Sequence, residues 1–129
     1  MKIKIVLLFL LSFQFSSSQV SFSADYREYC DWNKNSEEFV NCEGYEESSL
    51  FEFNKSETMF VHTSNDSKST YYIKSTEYDK QNEVFTYFVK SDVGNEYFCV
   101  FDPKNKVVKF LITEGEKLKL LRFYIKSIF

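Results

Sequence analysis

Glycine, proline and histidine are scarce in this chain of 129 residues, which holds three glycines (Gly44, Gly94 and Gly115), one proline (Pro103) and one histidine (His62). Without clustered glycines no phosphate-cradling loop of the G-x-x-x-x-G-K or G-x-G-x-x-G kind can be written, which argues against the nucleotide enzymes built on them. A lone imidazole excludes metal sites that need two, and no nucleophile motif accompanies it. A basic excess is also missing: 16 Lys and Arg stand against 19 Asp and Glu, so no nucleic-acid partner is expected. What the chain does have is apolar and aromatic mass, 43% hydrophobic and 19% aromatic, enough for one packed core at a single-domain length.

The first residues read as an export signal. Lys2 and Lys4 precede an apolar run from Ile5 to Leu11, which fades into Ser16, Ser17 and Ser18. A positive end, a short apolar segment and small residues before the cut are what translocation and its peptidase require. The run falls short of the roughly 20 apolar residues that span a bilayer. Cleavage is expected between Ser18 and Gln19, leaving residues 19–129 as a single all-β domain in the periplasm, the cell envelope or the medium.

Charge is unevenly spread over that domain. From Gln19 to Asp66 there are 11 acids against three bases, and from Ser67 onward 11 bases against eight acids. Opposite-signed edges of one small domain brought together account for this more simply than a charged partner does.

Runs of five to eight residues rich in Phe, Tyr, Val, Ile and Thr alternate with polar clusters carrying turn chemistry. These clusters are 33–36, 54–56, 64–67, 79–82, 93–95, 102–105 and 114–116. The runs between them predict strands over 26–32, 38–44, 48–53, 58–63, 69–77, 83–91, 96–101, 107–112 and 118–128. The expected fold is an all-β antiparallel meander of eight or nine short strands, forming a small barrel, a half-barrel or a two-layer sheet. The last run breaks step: Leu118 and Leu120 share one face while Leu121, Phe123 and Ile125 share the other. A β-bulge near Leu120 would realign them, and a short terminal helix is the alternative.

Cysteines exported to an oxidising compartment tend to pair. Cys30 and Cys42 flank the 33–36 turn and can meet across one hairpin. Pairing of either with Cys99, which like the first scheme leaves one thiol over, and no bridge at all are the alternatives. Cys99, inside the apolar run Tyr97–Phe101, reads as a core thiol. His62 shares a strand face with Phe60 and reads as a core or rim residue. Glu43, Glu46 and Glu47 read as a solvated acidic turn rather than a carboxylate pair for acid and base work.

The final stretch is basic, with Lys104, Lys106, Lys109, Lys117, Lys119, Arg122 and Lys126. Lys104 with Lys106, and Lys117 with Lys119, fall at strand period and would form a strip able to meet an anionic surface such as lipid headgroups. Tyrosines among Tyr71, Tyr72, Tyr87 and Tyr97 offer rigid contact area. No catalytic, cofactor or metal set emerges. The expectation is a non-enzymatic binding module for a protein, a glycan or a small apolar ligand, with membrane-surface contact a further option. A small outer-membrane barrel or structural envelope protein is the alternative, suggested by the aromatic end at Phe129 and opposed by the short strands.

Overall fold

The structure, a computed structural model, describes residues 19–129; the expected export signal and the Ser18 side of its cleavage site lie outside the described residues. Eight antiparallel strands follow one another as a meander that closes on itself: β1 (Ser21–Asn33), β2 (Glu38–Phe53), β3 (Met59–Ser64), β4 (Lys68–Asp79), β5 (Val84–Ser91), β6 (Glu96–Asp102), β7 (Val107–Glu114) and β8 (Lys117–Ile128). Closure is made by β8 on β1, from Phe22 opposite Ile128 to Asp31 opposite Lys119. Of the three architectures open at the sequence level, the barrel is the one adopted.

The turns explain why the chain reverses where it does. Four of the seven open on an Asn or Asp whose side-chain oxygen accepts backbone N–H groups ahead of it. Asn33 caps Asn35 and Ser36, Asn54 caps Thr58 and Met59, Asp79 caps Gln81 and Asn82, and Asp102 caps Asn105. These four turns each contain a non-glycine residue at positive φ: Glu37 (54°), Glu57 (54°), Glu83 (57°) and Lys106 (56°).

Eight strands make a barrel whose bore side chains can just fill, and here phenylalanine fills it. Phe51, Phe60, Phe101 and Phe123 are at most 1% exposed. Phe101 meets Phe51, Phe53 and Phe60 with ring centroids 5.1–5.8 Å apart and rings near edge-to-face, the arrangement that ring quadrupoles favour. Cys99 is buried in this core, and burial pushes its thiol up well above its ordinary pKa.

The fold corrects several sequence expectations. Residues 38–44 and 48–53 belong to one strand, because pairing to β1 runs on through Tyr45 opposite Arg27 and Glu46 opposite Tyr26, and the irregularity between them is a register shift rather than a turn. Glu43, Glu46 and Glu47 therefore lie mid-strand. The start of β1 reaches back to Ser21, placing Phe22 and Ala24 in the core. No bulge occurs at Leu120: β8 pairs with β7 in step from Lys117 to Tyr124, and its irregularity falls at Lys126, opposite the Ser23–Ala24 step. Both faces of β8 are apolar because Leu120, 2% exposed, lies in an outer row opposite Leu111 of β7 and Cys30 of β1. That row continues through Phe98 to Phe88, whose rings lie 5.1 Å apart.

Candidate functional site

The barrel has two unlike ends. The proximal end carries the start of β1, the end of β8 and the turns 54–58, 80–83 and 103–106. The distal end carries the turns 34–37, 65–67, 92–95 and 115–116, and there the β1–β2 hairpin extends past β3 while staying paired with β8 as far as Asp31.

At the distal end the sequence-predicted bridge is present: Cys30 and Cys42 are joined, their Cα atoms 4.1 Å apart across the hairpin. A Glu28 carboxylate oxygen lies within 4.8 Å of both sulfurs. With the sulfurs bonded to each other neither is a thiolate, so this trio has no metal-binding chemistry in the oxidised protein. The three glutamates do not converge. Glu47 accepts from Arg27 Nη1 at 2.9 Å, Glu46 sits opposite Tyr26, and Glu43 sits opposite Tyr29.

Arg27 organises the inner side of this end. Its guanidinium lies 5.3 Å from the centroid of Phe123 and 5.5 Å from that of Tyr45, with Glu47 as its counter-ion. His62 is buried beside it, stacked flat on Phe51 at 4.4 Å and meeting Phe123 edge-on at 5.1 Å. Burial first, and then the Arg27 charge, lower its pKa to about 4, so the imidazole is neutral near pH 7. Its Nε2, the Arg27 Nε and the Ser49 Oγ are buried with no hydrogen-bond partner among the described residues. One ring face of His62 is taken by Phe51, which makes it a packing residue.

The basic strip is dispersed. Lys104 and Lys106 sit in a turn rather than on a strand, because Asp102 and Pro103 begin the reversal there. Lys119 is bonded to Glu114 at 3.3 Å, and Arg122 to Glu28 at 2.6 Å across the β8–β1 seam. Opposite-signed edges of the chain do meet at that seam. A cleft of about 720 Å³ between the hairpin tips is lined by Asp31, Trp32, Lys34, Leu118 and Lys119, with charges of both signs. Of the four tyrosines, Tyr72 is exposed, whereas Tyr87 is buried and Tyr71 and Tyr97 pack against the core. Their strand faces are inward because they alternate with the outward Tyr72, Phe88 and Phe98.

The proximal end is different in kind. A recess of about 210 Å³ opens there, with the core rings of Phe22, Phe53 and Phe101 as its floor and Val20, Pro103 and Ile128 at its rim. Tyr87 and Glu57 supply its polar groups. Burial, then the Glu57 charge, push the Tyr87 hydroxyl up to about 12 and keep it protonated. Val20, Ile128 and Phe129 are 38%, 46% and 66% exposed, and Tyr78 packs on Phe85 with ring centroids 4.5 Å apart and planes tilted by 34°. Backbone hydrogen bonds between Ser21 and Phe129, and from Phe53 to Val20, fix this rim. No signal in the sequence marked it, since Val20, Pro103 and Ile128 are brought together only by closure of β8 on β1.

Comparison with known proteins finds no matching family model, no matching curated protein and no matching solved structure.

Proposed function

We propose that this chain is an exported, non-enzymatic binding module that takes an apolar group of its partner into the proximal recess. The observation that carries this reading is that core aromatic rings reach the surface there, beneath an exposed apolar rim. At about 210 Å³ the recess is smaller than the roughly 300–1,000 Å³ of pockets that enclose a drug-sized molecule, so it suits one apolar tip of something larger. An apolar lining favours an acyl or aromatic group over a glycan. The Cys30–Cys42 bridge is compatible with an oxidising compartment.

The distribution of side chains favours this reading over a membrane-spanning barrel. Such barrels present apolar residues to lipid and keep a polar bore, whereas this bore is filled by phenylalanine and the exposed strand positions include Asp25, Glu52, Lys68, Lys90 and Glu96.

Titration with the apolar dye N-phenyl-1-naphthylamine tests the reading. A saturable rise in dye fluorescence that is lost in the double variant Val20→Asp, Ile128→Asp is expected. Absence of a saturable rise, or a rise that survives the double variant, overturns it.

A further inference from the structure

We infer that the unpaired edge of β2, from Glu43 to Ser48, takes up an extended basic segment of a partner protein as an added strand. This surface is separate from the proximal recess and goes beyond the role proposed for it.

The edge follows from unequal strand lengths. β2 pairs with β1 from Glu38 to Glu52, but with β3 only from Ser49 to Phe53, because β3 ends at Ser64. Among the described residues nothing pairs with 38–48 on that side. The direction of its backbone groups follows by alternation. The Asn54 N–H bonds to the Met59 carbonyl on the β3 side, and the Phe53 N–H to the Val20 carbonyl on the β1 side. Even-numbered residues of β2 therefore turn their N–H and C=O toward β3, and past its end those of Ser48, Glu46 and Gly44 face solvent. The 65–67 turn leaves the gap open: a cleft of about 380 Å³, lined in part by Glu46, Glu47, Ser48 and Asn65, remains where β2 parts from β3.

The edge is held ready in extended form. The Cys30–Cys42 bridge ties β2 to β1 beside Glu43, and Arg27 of β1 binds Glu47 at 2.9 Å and lies 5.5 Å from the ring centroid of Tyr45. A strand already fixed in its bound conformation spares part of the ordering cost of association. The positive φ of Asn41 (55°), at the register shift facing Cys30, interrupts β2 and limits the regular edge to Glu43–Ser48.

Charge selects the occupant. β2 from 38 to 48 carries Glu38, Glu43, Glu46 and Glu47 and no base. On β1, Asp25, Glu28 and Asp31 stand against Arg27. The hairpin turn adds Lys34 and Glu37, and the facing side adds Asp66 and Lys68, which cancel in pairs. The nearest bases are engaged: Arg27 with Glu47, Arg122 of β8 with Glu28, and Lys119 with Glu114. Glu43 and Glu46 are exposed and have no ion-pair partner among the described residues. Two copies of the chain pairing through this edge would set glutamate near glutamate, which cross-strand like charges disfavour. A strand with lysine or arginine opposite Glu43 and Glu46 is favoured by the same rule, and Tyr45 between them, 51% exposed, offers ring area to an apolar residue.

Fluorescence anisotropy tests the inference with the fluorescein-labelled peptide TTKVVKTT, whose lysines are spaced like Glu43 and Glu46, and with its acidic twin TTEVVETT. Saturable binding of the basic peptide, weakened by salt, is expected, and none of the acidic one. The charge-reversed variant Glu43→Lys, Glu46→Lys should bind the basic peptide about tenfold or more weakly and take the acidic peptide instead. Ser48→Pro deletes a free-side N–H without touching the ladder to β1, and should weaken basic-peptide binding about tenfold with far-UV circular dichroism unchanged. Absence of saturable binding overturns the inference, as does binding indifferent to the charge reversal. Binding that is lost on charge reversal but survives Ser48→Pro reports charge attraction without strand pairing and overturns the added strand. Sedimentation showing a dimer that Ser48→Pro disperses assigns the edge to a second copy and overturns the basic partner.

Discussion

His62 lies flat against Phe51 across the β2–β3 pair, ring centroids 4.4 Å apart and planes 5° from parallel. Burial of this stack, with Arg27 nearby, holds the histidine pKa at about 4 against 6.5 in an unfolded chain. The unfolded state therefore binds the proton more readily. Stability is full above pH 6.5, falls as the pH drops from 6.5 to 4, and levels off below 4 for this group. A difference of 2.5 units corresponds to about 3 kcal/mol. His62→Phe should remove that part of the acid sensitivity, so urea unfolding midpoints of variant and parent should diverge as the pH falls from 6.5. Parallel pH profiles would count against it.

Gly44 is set by a neighbour rather than by its own backbone. The ring and hydroxyl of Tyr26, on β1, occupy the place that a Cβ at position 44 would need. Gly44→Ala should cost about 1–3 kcal/mol by displacing that ring. Against a Tyr26→Ala background the same change should cost little. A double-mutant cycle from denaturant unfolding measures the coupling.

The Cys30–Cys42 bridge spans 12 residues, and closing a loop of that order stabilises by about 3 kcal/mol through restriction of the unfolded chain. Replacing both cysteines by alanine should lower stability by about that amount, the barrel still closing because the β1–β2 and β1–β8 ladders continue on either side of Cys30. Cys99, buried with a raised pKa, should resist iodoacetamide in the folded protein and react on unfolding. Rapid alkylation of the native protein would show that the core opens locally.

Glu83 adopts φ 57° in the β4–β5 turn, a conformation that costs a side-chain-bearing residue about 1 kcal/mol relative to glycine. Glu83→Gly should therefore raise the thermal midpoint by several degrees. Glu37→Gly, in the same position of the β1–β2 turn, should act additively, as the turns are at opposite ends of the barrel.

Local chemistry made much of the fold legible. All seven polar clusters in the sequence mark turns, because Asn, Asp and Gly cap or reverse the backbone whatever the tertiary context. The buried positions of Cys99 and His62 followed from their apolar neighbours, and the Cys30–Cys42 pairing from proximity across one turn. The continuous β2 was hidden, because Glu43, Gly44, Glu46 and Glu47 carry loop-like composition while pairing with β1 holds them extended. Lys104 lies inside the 102–105 cluster that composition marks as a turn, so setting it with Lys106 at strand period ran against that reading.

What the sequence determined alone is the order of strands and reversals, the polarity of each run and the supply of aromatic rings. Only the tertiary structure decided that the sheet closes, since closure depends on β8 meeting β1 across a sequence separation of about a hundred residues. Closure also decides which side chains share an end. Val20, Pro103 and Ile128 become one rim through contacts that no local pattern encodes.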